Sequence, residues 1–258
     1  MQNKEINSLA NKLVKAFLKN QIISPIPSKF TKKITEAEKF KNLCESKIKK
    51  PIIGYKAGGT ALPVLKKLKE KEPFYAAVYE HNLLRNKKSV RVNKYTLGVE
   101  LEVCYLIKKE ILKSKIKISK KNILKYISHM APCIEVVGYR QRKKGIKFLG
   151  DLCSDFGANV KFIIGPKKKF SRINIKNLKT KISNNKINHF VEGNTNTVYV
   201  DPLNSLRFVL NKLKKENIKL NRNFYVFTGS TVGVVPIMGK GFYEGNIDKI
   251  GSVKAKII

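Results

Sequence analysis

Three glutamates stand where a globular chain ordinarily places core residues. In "GVELEVCYLI", residues 98–107, Glu100 and Glu102 interrupt an otherwise apolar run. In "APCIEVVGY", residues 131–139, Glu135 is the lone charge, flanked by Ile134, Val136 and Val137. Residues i and i+2 of a strand share a face, so Glu100 and Glu102 would project side by side, opposite Val99, Leu101 and Val103. Two carboxylates that close repel, and burying even one unpaired charge costs several kcal/mol. Something positive must stand between them, a Lys or Arg side chain or a divalent cation. With Glu135 from a second strand the set becomes all-oxygen, which suits Mg²⁺ or Mn²⁺ rather than a softer metal. An E-x-E pair is also a common solvent face of an edge strand, and these residues alone leave that alternative open.

Two further stretches have the character of a site. "GYKAGGTA" places Lys56 at the end of an apolar strand, before Gly58 and Gly59, whose freedom lets the backbone approach a ligand closely. A lysine confined beside carboxylates can transfer protons or clamp an anion; it is also one lysine among 47. "FTGSTVGV" places Gly229, Ser230 and Thr231 after another apolar strand, where N–H and hydroxyl donors could meet a carboxylate ligand, or simply form a turn. "DLCSD" offers Asp151 and Asp155, which read equally well as a capped turn.

Several elements must position these groups. Ile6, Leu9, Leu13, Val14, Phe17 and Leu18 lie on one helical face, and "TEAEKFKNLCESKIKK" follows as a second helix. Residues 1–50 therefore read as a helical N-terminal element, and residues 51–258 as a β-rich catalytic domain. In the latter, "PIIGYKAG" is a buried strand, "TALPVLKKLK" a short helix, and residues 73–107 a series of β runs. "SKKNILKYISHM" is expected as a helix before the strand "PCIEVVGY". "VKFIIG", "INIKNLKTKISNN" and "TVYV" are strand candidates, and "DPLNSLRFVLNKLKKENI" is a helix with an Asp-Pro start. Glycine-joined strands fill the C-terminal part. The fold class expected is α+β, with a mixed β-barrel-like core.

Composition narrows the function. The chain has 54 Lys and Arg against 18 Asp and Glu, a formal net charge of +36. Such a field attracts polyanions, but the basic residues are spread along the whole chain. Only seven are Arg, the usual fork for bases and phosphates. Abundant Ile and Asn accompany the lysines, as an AT-rich coding sequence supplies, so no nucleic-acid partner is expected. No apolar run reaches the length that spans a bilayer, and the amphipathic N-terminus, carrying Glu5, does not read as a signal peptide. Cys44, Cys104, Cys133 and Cys153 show no CxxC pairing, which points to buried free thiols in a reducing cytoplasm.

Taken in order, "GYKAGGTA", "GVELEV", "PCIEVVGYR", "DLCSDFGANVKFIIG", "DPLNSLRFVLNKL", "FTGSTVG" and "GNIDKIGSVKAKI" resemble the 2-oxopent-4-enoate hydratase and 2-oxo-3-hexenedioate decarboxylase family of the fumarylacetoacetate hydrolase superfamily. The resemblance runs from about residue 52 to residue 258. It implies that Glu100, Glu102 and Glu135 hold Mg²⁺ or Mn²⁺ and that Lys56 faces the substrate. It further implies that Asp155, Gly229 and Ser230 help bind a small 2-oxo acid, and that the chain forms homo-oligomers. The activity implied is hydration of 2-hydroxypenta-2,4-dienoate to 4-hydroxy-2-oxopentanoate, with 2-oxo-3-hexenedioate decarboxylation as the alternative. A C–C hydrolase of the superfamily would want a His–Glu pair, and His81, His129 and His189 fall outside the matched motifs. The chain departs from the family at Gly138, and at Phe156, Gly157 and Ala158 where Asn, Ala and Ser are usual, so an inactive homologue and a charge-driven polyanion binder stay in view. Calorimetry with Mn²⁺ at moderate salt tests the carboxylate set. One site is expected in the wild type and none in Glu100→Gln/Glu135→Gln; binding unchanged by the double substitution would remove the metal.

Overall fold

The structure, a computed structural model, describes residues 2–171 and 173–258. Helices α1 (Gln2–Lys19) and α2 (Ile34–Ser46) precede strand β1 (Ile52–Gly58), helix α3 (Leu62–Lys67), β2 (Phe74–Tyr79), β3 (Leu83–Arg85), β4 (Ser89–Val90) and the long β5 (Thr96–Ile107). Two single-turn helices, α4 (Glu110–Lys113) and α5 (Lys120–Ile123), lead to β6 (Ile127–Gly138). Then come α6 (Leu149–Ser154), β7 (Asn159–Ile164), β8 (Lys168–Lys169), β9 (Lys179–Asn184) and β10 (His189–Asn194). Helix α7 (Pro202–Lys215), β11 (Phe224–Ser230), β12 (Gly241–Ile247) and β13 (Gly251–Ile257) complete the order.

Eight strands form a curled sheet in the order β2-β1-β11-β5-β6-β7-β3, with β8 also pairing β6, and β10-β9-β12-β13-β4 form a second sheet. The expected α+β, barrel-like architecture is the one observed. β5 and β6 are its spine, twelve residues each, pairing antiparallel from Thr96↔Gly138 to Ile107↔Ile127. One face of β5 (Val99, Leu101, Val103, Tyr105) enters the main core, where Leu101 packs beneath Gly245 of the second sheet. Phe17 of α1 and Phe40 of α2 join that same core, so the helical element shares its apolar interior with the sheets. The opposite face of β5 carries Glu100, Glu102 and Cys104.

Local chemistry explains most boundaries. Asp201 caps α7 by accepting from the N–H groups of Leu203 (2.7 Å) and Asn204 (3.1 Å), with Pro202 in the first turn. Inside the helix, Ser205 Oγ donates to the Thr228 carbonyl (2.6 Å), and Thr228 Oγ1 donates to the Val103 carbonyl (2.8 Å). The helix is thereby tied to β11 and β5 beside Gly229. All four cysteines are buried free thiols. Among the described residues no helix is long and apolar enough to cross a membrane.

Two expected elements differ. The helix anticipated over "SKKNILKYISHM" is α-helical only at Lys120–Ile123, and Ile127 onward is strand, because β5 is long enough to pair Leu106 with His129 and Tyr105 with Met130. "TVYV" is not a strand. Tyr199 and Val200 turn the chain with φ of 47° and 73°, and the Tyr199 N–H is taken by the Thr60 carbonyl (2.9 Å) just before the α7 cap.

β1 meets β11 in parallel, with Gly54 opposite Tyr225, and a Cβ on Gly54 would lie 2.3 Å from the Tyr225 carbonyl oxygen. Gly54→Ala is therefore expected to destabilise the fold by about 2 kcal/mol or more, read as a lowered urea midpoint. An unchanged midpoint would contradict this strand register.

Candidate metal centre

The register of the two spine strands assembles the acids. Glu100 lies directly opposite Glu135 across β5 and β6, and Glu102 is opposite Cys133, on the same face one pleat along. One carboxylate oxygen from each glutamate lies within 4.8 Å of the others. Glu102 and Glu135 are fully buried and Glu100 partly so.

Two of the three carboxylates are oriented from outside the cluster. Gly229 N–H donates to Glu102 Oε2 (3.0 Å). That contact depends on a register shift in β11 between Phe227 and Ser230, where Gly229 has φ of +103°. A Cβ at Gly229 would sit 2.2 Å from Thr60 Oγ1, so only glycine brings this N–H to the acid. Lys56, buried at the end of β1, donates to Glu135 Oε1 (2.5 Å) and to the Gly157 carbonyl (2.9 Å). Among the described residues, Glu102 Oε1 and Glu135 Oε2 are buried without a hydrogen-bond partner.

Ionised, the cluster holds three negative charges against the one ammonium of Lys56. The two unpartnered oxygens, the hard all-oxygen donor set and the residual charge of two fit a small divalent cation, so the residues present suit Mg²⁺ or Mn²⁺. Without a cation the acids take up protons instead. Burial, with the Glu135 charge, pushes Glu100 up to about 7. Burial likewise pushes Glu102 up to about 7, against the pull of Lys56. Glu135 is held well above the ordinary carboxylate range, chiefly by burial. Burial disfavours the Lys56 ammonium, but the charges of Glu135, Glu100 and Glu102 outweigh it and raise its pKa.

A cavity of about 650 Å³ opens beside the cluster, with Glu100 in its lining. The end of β1 and the start of α3 (Gly58 to Val64), Leu152 of α6 and residues 229–234 form its walls. Glu192, Gly193, Asn196 and Thr197 reach it from the second sheet and the segment that follows.

The expected site residues thus divide. Glu100, Glu102, Glu135 and Lys56 come together. Gly229 and Ser230 line the cavity, but the Gly229 N–H serves Glu102, and Ser230 Oγ donates to the Gly233 carbonyl (2.8 Å). Asp155 is not in the cavity. It is fully buried, with one oxygen accepting the Arg140 backbone N–H (2.6 Å) and the other the Arg140 guanidinium (3.0 Å). A carboxylate placed beside a buried arginine pairs with it before it can serve a ligand. Asp151 is the capped turn anticipated, accepting from the N–H groups of Lys147 and Phe148 and from Lys144 Nζ. Sequence reasoning missed Arg140, although its place directly after the "EVVGY" run was a usable signal. It also missed Thr60, although it lies within "GYKAGGTA", and Asn196, Thr197 and Glu192, which carry no motif.

No protein-family model matches the chain. Among solved structures, it is similar to 4-oxalocrotonate decarboxylase from Pseudomonas putida G7 complexed with magnesium and adipate. The TM-score is 0.85 at 18% identity, covering 100% of this chain and 99% of that one. The same enzyme complexed with calcium and acetate gives 0.84 at 18% identity over the same shares. A Yersinia pestis CO92 protein assigned to the fumarylacetoacetate hydrolase family gives 0.60 at 16% identity, covering 82% of this chain and 95% of that one. The fold is fumarylacetoacetate-hydrolase-like.

The raised acids set a pH dependence with a definite sign. Their protonated forms are favoured in the folded state, so their contribution to stability is present below the ordinary value of 4.5 and is lost as pH rises through about 7. A cation must displace those protons, so Mg²⁺ affinity is expected to climb with pH, about tenfold per pH unit for each proton released, across the range up to about 7 in which Glu100 and Glu102 titrate. Calorimetry in two buffers of different ionisation enthalpy counts the protons; affinity flat from pH 5 to 8 would contradict a carboxylate site.

Proposed function

We propose that the protein is a divalent-metal-dependent lyase acting on a 2-oxo or 2-hydroxy-dienoic acid. The charge count carries this reading: three acids within 4.8 Å face one buried ammonium, and one of them, Glu100, lines an open cavity. The reaction proposed first is loss of CO₂ from a 2-oxo-3-hexenedioate (4-oxalocrotonate). The whole-chain likeness to the Pseudomonas putida decarboxylase supports it, although at 18% identity that likeness is one of fold. The cavity supports it as well, since Leu62, Val64, Leu152, Val232 and Val234 line it beyond Glu100. A carboxylate turned toward such walls loses hydration that neutral CO₂ does not need.

Glu100, Glu102 and Glu135 would hold the cation, with Glu102 oriented by Gly229 and Glu135 by Lys56. When bound, the cation supplies Lewis-acid stabilisation of negative charge collecting on the 2-oxygen. In decarboxylation the C5–C6 bond breaks, C6 leaves as CO₂, and the freed electron pair moves through the C3–C4 double bond to that oxygen. Lys56 has three N–H donors, of which two are fixed by Glu135 and Gly157. The third is left to hold or deliver the proton that the 2-oxygen gains.

Hydration of 2-hydroxypenta-2,4-dienoate to 4-hydroxy-2-oxopentanoate is the second reading. It is favoured by Thr60, Asn196, Thr197 and Ser230, polar residues that line the same cavity and suit an ordered water. There a proton moves to C5, water adds at C4 and a further proton enters at C3.

Offering both acids to the Mg²⁺-loaded protein separates the readings. CO₂ release from the six-carbon diacid is expected. Loss of dienol absorbance without CO₂ would favour the hydratase, and neither reaction with Mg²⁺ or Mn²⁺ would overturn the proposal. Lys56→Met is expected to lower kcat by about 10²- to 10⁴-fold, while calorimetry still finds the metal site.

A further inference from the structure

Between α6 and β7 the chain makes a turn that a polypeptide adopts reluctantly. Phe156, Gly157 and Ala158 have φ of 52°, 69° and 59°, three consecutive residues in the left-handed region. Two of them carry a Cβ, and each such residue costs on the order of 1 kcal/mol or more. Strain of this kind persists only where the surroundings over-determine it, and here one side chain does much of the determining.

That side chain is Arg140, just past the end of β6. Its backbone N–H and one guanidinium nitrogen bind the two oxygens of Asp155, the residue before the turn. Its other terminal nitrogen donates to the carbonyl of Asn159 (2.9 Å), the residue after it. The guanidinium lies 4.8 Å from the ring centroid of Phe17 and 5.2 Å from that of Tyr95, and Phe156 packs on Phe17 at 4.4 Å between centroids. Arg140 is 1% exposed. The turn it grips has one polar product, the Gly157 carbonyl aimed at Lys56 Nζ (2.9 Å). A Cβ at Gly157 would meet Lys56 Cδ at 3.1 Å and the Phe74 ring at 3.1 Å, so the backbone lies directly against the lysine stem.

We propose that Arg140 is a positioning residue for Lys56: it clamps both ends of the 156–158 turn and so fixes the carbonyl that, with Glu135, holds the lysine's ammonium beside the three glutamates. β6 then controls the lysine twice, directly through Glu135 and indirectly through Arg140. The guanidinium fork is needed because a single ammonium cannot reach both ends of the turn. This rests on Lys56 contacting the bound acid, as in the proposed function.

The test is a double-mutant cycle read by binding, without turnover. The probe is oxalate, which mimics the chelating end of a 2-oxo acid, titrated into the Mg²⁺-loaded protein. Arg140→Lys is expected to weaken oxalate about tenfold while Mg²⁺ Kd stays within about threefold, since misplacing a positioned group by an ångström has effects of that order or larger. In a Lys56→Met background the same substitution is expected to cost nothing further. Equal costs in the two backgrounds would assign Arg140 to general support of the fold and overturn the proposal, as would no cost in the wild type. Should Arg140→Lys fail to fold, Asp155→Asn carries the same cycle. Oxalate that does not bind the Mg²⁺-loaded wild type at all would instead overturn the proposed function on which the inference rests.

Discussion

An unbalanced charge, sealed between two strands, governs this molecule. Glu102 and Glu135, shut away from water, converge with the partly buried Glu100, and Lys56 neutralises only one of the three. Everything nearby answers that imbalance. β11 breaks its register so that a backbone N–H can reach Glu102. β1 turns an ammonium toward Glu135, and the turn before β7 lends that ammonium a carbonyl. Two carboxylate oxygens are still left over. A protein selected only for stability would replace such a cluster with apolar residues; keeping it makes sense where a cation and a ligand complete it.

Much of this was legible in the sequence. Scarce acids inside apolar runs are conspicuous in a chain so rich in lysine, and the two-residue period of a strand is enough to put Glu100 and Glu102 on one face. Lys56 was singled out by the glycines that follow it, and α7 by its Asp-Pro start and apolar stripe. The long-range partners were not legible. That Glu100 faces Glu135 is a property of the β5–β6 register, and the local sequence of neither strand states it.

The misreadings have a common origin. "KYISHM" has helix-compatible spacing, yet a twelve-residue partner strand recruits it into the sheet. "TVYV" has strand composition, but its backbone is spent on linking Thr60 to the α7 cap. Asp155 sits inside a matched motif, and Arg140, fifteen positions earlier, claims it. In each case a residue distant in sequence overrode the local preference, which propensity and motif reading cannot weigh. The net charge of +36 was informative mainly in what it left out. The three acids it throws into relief matter to the site, while the lysines spread along the chain form no motif.

The strand order has a bearing on how the chain comes to be folded. β11, residues 224–230, is inserted between β1 and β5, whose residues were synthesised more than a hundred positions earlier. Until it arrives, both strands present open edges, Glu102 lacks its N–H, and the acids lie in a half-built sheet. Contacts of such sequence separation close slowly and late. The nascent chain must therefore wait more than a hundred residues after Glu102 for the N–H of Gly229 that completes its site. Open strand edges at that stage invite pairing with other chains, a hazard that the dense positive charge along the chain opposes by keeping like molecules apart.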